Sequence, residues 1–204
     1  MDGLSFFNQR RAIRNLPMPN THQATNFIGV WPDVLIPLDA DLKIDEVKLC
    51  AHLRNLGAKG YEHVVLFGQA GEGASFSADE KLSAIAHAVA AGVEAQNILL
   101  GVHSSSFTEA AQLIRKAYEK GVRRFLVSGP MYDQPFSHTA LFDYFDQLIR
   151  HVQLNDWQLF IHQLGGIHGA TDLPEVTLAD LRKVHPLIFI GIVEQDKHVT
   201  HTVD

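Results

Sequence analysis

Four side chains that can bind a metal ion lie near the ends of two apolar segments of the chain. His162 ends one of these segments. Glu194, Asp196 and His198 follow the next one along the chain. Imidazole and carboxylate ligands suit Mg²⁺, Mn²⁺ or Zn²⁺, and such an ion can polarise the carbonyl group of a keto acid. The spacing matches no established ligand motif, so metal-assisted chemistry is an alternative, and we predict no bound metal and no other cofactor.

A glycine-rich turn, Gly68-Gln-Ala-Gly-Glu-Gly73, is a second feature with chemical potential. Its successive main-chain N–H groups can hold a carboxylate, because that contact needs no particular side chain. Lys197, four residues after Val193, offers an amine. An exposed lysine stays protonated, however, and is a poor nucleophile. The turn is therefore the better candidate for a functional site.

Six short apolar segments must position these side chains. They are Ile28–Leu38, His63–Phe67, Asn97–Val102, Arg123–Val127, Trp157–Ile161 and Leu187–Ile192. Each is rich in Val, Ile, Leu and Phe without polar alternation, which is typical of parallel strands that are buried on both faces. The sequence therefore predicts six parallel strands.

The segments between these strands carry helix start signals. The predicted N-cap residues are Asp45, Ser77, Ser106, Ser137 and Thr177. At Ser77 and Ser106 a glutamate three residues later completes a capping box, in which each side chain bonds the other residue's main-chain N–H. Apolar residues at helical spacing follow each cap, so the sequence predicts a helix after every strand but the last.

Six strand–helix units fit two architectures, an open doubly wound sheet or a (β/α)8 barrel. The first strand leads into Leu38-Asp-Ala-Asp-Leu-Lys43, which lacks the glycine-rich phosphate loop of a dinucleotide-binding fold. The pattern favours the TIM-barrel type, with only about six of its eight βα units in this chain. We predict an N-terminal arm over residues 1–26 and an incomplete barrel domain over residues 27–204.

Composition excludes several classes of function. The chain is 46% hydrophobic and 20% charged with a net charge of −6, which is typical of a soluble globular protein without a nucleic-acid footprint. No stretch approaches the roughly 20 apolar residues of a membrane span. The single cysteine, Cys50, fits a reducing compartment, so we expect a cytoplasmic protein that contacts neither nucleic acid nor membrane.

A series of motifs occurs in a fixed order along the chain. They are Gly29-Val-Trp-Pro with Leu35-Ile-Pro-Leu-Asp39, Gly68-Gln-Ala-Gly-Glu-Gly-Ala-Ser-Phe-Ser77, Gly101-Val-His-Ser104, Ser128-Gly-Pro-Met-Tyr-Asp-Gln-Pro135, Asp172-Leu-Pro-Glu175 and Ile190-Gly-Ile-Val-Glu194. Their order and spacing resemble the dihydrodipicolinate synthase / N-acetylneuraminate lyase family of class I aldolase-type barrels. The resemblance covers about residues 28–200.

This resemblance implies a mechanism. Enzymes of the family hold pyruvate as a Schiff base on a lysine that ends strand six. A Gly-Thr-Thr-Gly-Glu loop holds the carboxylate of the keto acid with main-chain amides and hydroxyl groups. Protons are moved by a tyrosine that ends strand five and by a second tyrosine from a neighbouring subunit. The amine attacks the ketone, and the resulting iminium accepts electrons.

The matching positions of this chain depart from the family pattern. Val193 occupies the lysine position in Ile190-Gly-Ile-Val-Glu194, and an alkyl group cannot form an imine. We predict Ile161 at the position of the strand-five tyrosine, and Gln69 and Ala70 at the two threonines of the loop. Tyr132 matches the tyrosine borrowed between subunits and is the one catalytic residue carried over, as a relic.

Three functions fit these observations. The first is a protein of lyase ancestry whose ordinary Schiff-base activity is lost or altered. The second is a non-catalytic barrel that binds a keto acid or sugar acid, or associates with an active homologue. The third is the metal-assisted lyase. We expect Gly68, Gln69, Ala70 and Gly71 to contact a small keto-acid or sugar-acid ligand, and the shared tyrosine predicts a homo-oligomer.

Overall fold

The computed structural model describes residues 30–130, 136–164 and 172–194, and in them six strands form one sheet. The strands are β1 (Asp33–Val34), β2 (Val64–Leu66), β3 (Ile98–Val102), β4 (Arg124–Ser128), β5 (Gln158–Gln163) and β6 (Phe189–Glu194). Each pairs in parallel with the next, so that the order across the sheet equals the order along the chain. The six predicted parallel strands are confirmed.

The first strand is much shorter than the predicted segment Ile28–Leu38. Within the described part of that segment only Asp33–Val34 pairs with β2. Pro32 and Pro37 flank this pair, and proline has no N–H to donate to a strand ladder. The chain after Pro37 folds back on itself, and Leu38 forms an isolated antiparallel bridge with Ile44.

Five helices connect the strands as predicted. They are α1 (Glu46–Ala58), α2 (Ala78–Ala90), α3 (Phe107–Glu119), α4 (His138–Val152) and α5 (Glu175–Val184). Asp45, Ser77, Ser106 and Ser137 each accept a hydrogen bond from a main-chain N–H of the first helical turn. These four N-caps are confirmed.

Two capping details differ from prediction. The box at Ser77 forms completely, but at Ser106 only the serine half forms, because the carboxylate of Glu109 accepts a hydrogen bond from Ser104 instead. The prediction of Thr177 as an N-cap was wrong, since α5 begins two residues earlier with Pro174 at its N-cap. Thr177 lies buried in the first turn, where its hydroxyl group bonds the ring of His138 at 2.7 Å.

Side chains alternate between the two faces of each strand and build two layers of core. The face toward the helices carries a large apolar cluster that includes Leu66, Leu100, Val127 and Ile161. The opposite face carries a smaller cluster of Val65, Leu99, Leu126 and Phe160, against which Trp31, Ile190 and Val193 pack. Helices thus cover one face of the sheet, and the other face carries a separate, smaller apolar cluster.

The strand order decides between the two predicted architectures. A doubly wound sheet reverses its strand order at a switch point, whereas this sheet runs from β1 to β6 without reversal. That order, with helices on one face and a side-chain core on the other, is the wall of a (β/α) barrel. Within the described residues β1 and β6 are the edge strands, so the wall holds six units. The predicted arm, residues 1–26, lies outside the described residues.

Candidate active site

The glycine-rich turn after β2 and the ends of β3 and β5 enclose a cavity of about 330 Å³. Its lining comes from Gly68, Gln69 and residues 72–75 on the turn and from His103, His162 and Leu164. Barrel proteins place their ligand sites at the carboxyl ends of the strands, and this cavity lies there. We therefore take it as the candidate active site.

The backbone of the turn is held close to its neighbours, which explains its glycines. Phe67 and Glu72 adopt left-handed conformations, with φ of 59° and 48°. A Cβ atom at Gly73 or at Gly101 would collide with the carbonyl oxygen of Phe67. A Cβ atom at Gly71 would approach the carbonyl oxygen of Val34 to 2.6 Å. The glycines are thus required for the close packing of the turn on β1 and β3.

Two buried histidines that line the cavity face each other. Nε2 of His103 lies 2.9 Å from Nδ1 of His162, so one ring donates a hydrogen bond to the other. His162 is 4% exposed, and burial lowers its pKa to about 4 against a smaller opposite effect of the Asp172 carboxylate. At neutral pH its imidazole is therefore uncharged. A neutral imidazole can accept, donate or transfer a proton at a bound carbonyl compound.

One row of side chains, in register with His162, crosses three neighbouring strands. Ser128 pairs in register with His162, and His162 pairs in register with Val193. Residues in register on neighbouring strands face the same side, and Val193 packs on the interior cluster. The hydroxyl oxygen of Ser128 is buried and has no hydrogen-bond partner in the described part of the chain. The row thus brings a hydroxyl group, an imidazole and an alkyl side chain together.

Ile161 lies on the other face of β5. It is fully buried in the core between the sheet and the helices, and its neighbour His162 lines the cavity. A shift of one residue along a strand exchanges the two faces. The structure therefore brings His162 to the site, and it does not bring Ile161 there.

The predicted ligand-binding residues of the turn have unequal positions. Gly68 and Gln69 line the cavity. Ala70 is exposed, and its N–H donates a hydrogen bond of 2.8 Å to Oδ2 of Asp33. Tyr132 lies outside the described residues, as do Asp196, Lys197, His198 and the side chain of Glu194. Among the described residues no three His, Cys, Asp or Glu side chains come together as a metal site.

Asp33 contacts the glycine-rich turn and was not predicted from the sequence. Its carboxylate lies on the turn, and the amides of residues 68 to 71 favour the ionised form. Burial acts more strongly in the opposite sense and raises the pKa of Asp33. A signal for this residue exists in the sequence, because Asp33 is the one charged residue within the apolar segment Ile28–Leu38.

Lys81 is the second residue that was not predicted. It is 2% exposed, and its Nζ donates a hydrogen bond to the carbonyl oxygen of Gly101 at 3.2 Å and lies 5.7 Å from the ring centroid of Phe67. Burial lowers the pKa of its amine to about 8. Its position in α2, four residues before Ile85 on the apolar face, was the available signal.

The strand order, the helices on one face and the cavity at the strand ends define a barrel-type α/β protein. Residues 26–185 match the Dihydrodipicolinate synthetase family. The chain therefore belongs to this family, and the family predicted from the motifs is confirmed.

No helix in the described ranges has the length and apolar character to cross a membrane.

Comparison with individual proteins gives the same fold. The 4-hydroxy-tetrahydrodipicolinate synthase of Natronomonas pharaonis is 32% identical over 109 residues, which are 53% of this chain and 37% of that protein. The structure of dihydrodipicolinate synthase from Agrobacterium tumefaciens matches with a TM-score of 0.76 and 24% identity, over 84% of this chain and 60% of that chain.

A third similar protein has been solved with a ligand. It is a prophage protein of the dihydrodipicolinic acid synthase family from E. coli K12, in complex with pyruvate. Its TM-score is 0.72 at 23% identity, over 83% of this chain and 55% of that chain. The matched parts thus span 37% to 60% of these three proteins. The barrel-type fold of this chain is confirmed.

Proposed function

We propose that this chain keeps the ligand cavity of a keto-acid lyase but does not form a Schiff base. The observation that carries the proposal is Val193, in register with His162 on the interior face of the barrel wall. In the family pattern this position holds the lysine that bonds to pyruvate. A valine side chain has no lone pair for the carbonyl carbon. Loss of an essential nucleophile typically lowers the rate by a factor on the order of 10⁴–10⁶.

The lysines in the described part of the chain support the same proposal. Lys81 is the one buried amine among them, and its hydrogen bond to Gly101 holds it between α2 and β3. The remaining described lysines are exposed on the surface. None of the residues that line the cavity is a lysine. A replacement nucleophile among the described residues is therefore not supported.

His162 takes the place that the family gives to the strand-five tyrosine in this proposal. A proton relay has to face the interior, and on β5 the residue that does so is His162 and not Ile161. Its hydrogen bond to His103 orients the ring. The neutral imidazole of His162 would then bond and polarise the carbonyl group of a ligand that is held without a covalent link.

The ligand in this proposal is a small carbonyl compound related to the keto acids and sugar acids that the family uses. Pyruvate in the related prophage protein supports a ligand of this size. The loop residues Gly68 to Gly71 and a partner subunit's tyrosine equivalent to Tyr132 would complete the site, which requires a homo-oligomer. Binding without turnover, the second hypothesis, uses the same cavity.

Borohydride trapping tests the proposal. Borohydride reduces an imine to a stable amine, so the full chain is incubated with borohydride and an excess of pyruvate or of its uncharged ester methyl pyruvate, and its intact mass is measured. We expect the native chain to keep its mass, and a 4-hydroxy-tetrahydrodipicolinate synthase serves as the positive control. An adduct on any lysine of the native chain would overturn the proposal.

The variant Val193→Lys sharpens the test. It puts an amine beside His162, so with methyl pyruvate, which carries no carboxylate, we expect a borohydride adduct at position 193 in this variant alone. The matched control is Ile192→Lys, because Ile192 pairs with Ile161 on the opposite face and its amine would not reach the cavity. No adduct in Val193→Lys, or equal adducts in both variants, would contradict the assignment of position 193.

A further inference from the structure

The turn at residues 68 to 71 already holds a carboxylate, and that carboxylate belongs to the chain itself. Oδ2 of Asp33 accepts the hydrogen bond from the Ala70 amide at 2.8 Å. A Cβ atom built on Gly68 would lie 2.5 Å from both carboxylate oxygens of Asp33. The carboxylate therefore fills the space next to the Gly68 backbone, and Gly68 also lines the cavity.

This contact is a poor one for stability. Oδ1 of Asp33 is buried and has no hydrogen-bond partner within the ranges that the structure describes. An unpaired buried acceptor costs free energy, and the raised pKa of Asp33 reflects the same desolvation. The groups that favour the ionised form are main-chain amides of the turn. A neutral side chain would avoid this cost, so packing alone does not account for the aspartate.

A second carboxylate would compete for the same position. The Ala70 N–H donates one hydrogen bond, and it is already directed at Asp33. A ligand anion next to Gly68 would also stand within a few ångströms of the Asp33 charge, and like charges at that distance repel each other strongly in a partly buried site. An uncharged ligand meets neither obstacle.

We propose that Asp33 is a specificity-determining residue, whose carboxylate occupies the amide site of the turn, excludes small carboxylate ligands from it and leaves the cavity to uncharged carbonyl compounds. The proposal rests on the proposed function in treating the cavity as a ligand site. It deepens that function, because it names the charge of the ligand.

Titration calorimetry on the full chain tests this with two matched probes, pyruvate and its uncharged ester methyl pyruvate. We expect the native chain to bind methyl pyruvate and to bind pyruvate much more weakly at neutral pH. In Asp33→Ala the affinity for pyruvate should rise roughly ten- to a hundredfold, the value of one hydrogen bond to a charged group. The affinity for methyl pyruvate should change little.

Three further variants separate the causes. Asp41→Ala is the control: it removes an exposed carboxylate elsewhere and should leave the affinities for pyruvate and methyl pyruvate unchanged. Asp33→Asn removes the charge but keeps an acceptor at the Ala70 amide, so pyruvate should stay excluded. Asp33→Ser is a second small replacement, which decides the question if the alanine variant does not fold.

Several outcomes would overturn the assignment. Equal pyruvate binding by the native chain and by the small variants would show that Asp33 does not obstruct the site. No gain of pyruvate binding in either small variant would show that the turn amides do not bind anions. Failure of methyl pyruvate to bind the native chain would contradict the claim that the cavity takes uncharged carbonyl compounds. A borohydride adduct of the native chain with methyl pyruvate would refute the proposed function alone, because it measures covalent chemistry and not selectivity.

Discussion

The two faces of the sheet differ in what they bury. The face toward the helices is an apolar core, in which Leu66, Leu100 and Ile161 lie without solvent contact. The face toward the cavity buries polar groups, among them His162 and two oxygens, Oγ of Ser128 and Oδ1 of Asp33, that find no hydrogen-bond partner among the described residues. Polar groups cost free energy when they are buried with incomplete hydrogen bonding. The comparison shows that the helix face stabilises the fold, whereas the cavity face gives up folding free energy because its buried polar groups serve a site.

The largest effect is expected on the helix face. Phe125 is fully buried, and its ring packs edge-on against Trp157 at a centroid distance of 5.9 Å. Phe125→Ala leaves a hole in a close-packed core and should lower the free energy of unfolding by about 3–5 kcal/mol. Urea denaturation measures this loss. A loss below about 1 kcal/mol would contradict the division of roles between the two faces.

The cavity face should show a pH dependence between pH 6.5 and pH 4 that comes from one buried histidine. The pKa of His162 is about 4 in the folded chain and 6.5 as the ordinary value, so between these pH values the unfolded chain binds more protons. Stability should therefore fall as the pH drops from 6.5 to 4, by about 3 kcal/mol at pH 4. His162→Phe should remove this component of the pH dependence in denaturation curves. The exposed His151→Phe is the control, and the same loss of slope there would contradict the assignment to His162.

A smaller effect is expected where a charge lies within the helix layer. Asp146 accepts hydrogen bonds from Arg150 and from His185, with Nε2 of His185 at 2.7 Å. Burial raises the pKa of Asp146, but these two partners outweigh it and hold the pKa below 3.8. The resulting stability is present above pH 3.8 and is lost as the pH falls through the lowered pKa of the folded chain.

Asp146→Asn should therefore cost about 1–2 kcal/mol at neutral pH, because one hydrogen-bonded charge is replaced by an amide. Thermal unfolding at pH 7 measures the loss, and at pH 2 the variant and the native chain should differ less. Asp143→Asn, on the same helix, is the matched control. A difference between variant and native chain that grows as the pH falls would show that the ionised form of Asp146 does not stabilise the fold.

Much of the fold could be predicted because the signals are local. The alternation of apolar segments and capped helices follows from residues close in sequence, as the complete box at Ser77 and Glu80 shows. Where local rules competed, the predictions failed. Proline on both sides of Asp33–Val34 shortened β1, and Pro174 moved the start of α5 away from Thr177.

The site could be predicted only in part. The turn at residues 68 to 73 was found from its glycines, and it lines the cavity. Asp33 was missed because its partner, the Ala70 amide, lies 37 residues further along the chain. Lys81 was missed because its burial depends on how α2 packs over Phe67 and Gly101.

From residues alone one can read the parallel strands, the helices between them and the family motifs, and one can predict Val193 at the lysine position of that pattern. Packing was needed to establish which face of β5 meets the cavity, and therefore that His162 rather than Ile161 lies there. It was also needed for the pKa of His162, which depends on burial. The reason is physical: neighbouring strand residues face opposite sides, and both register and desolvation depend on contacts between segments that are distant in sequence.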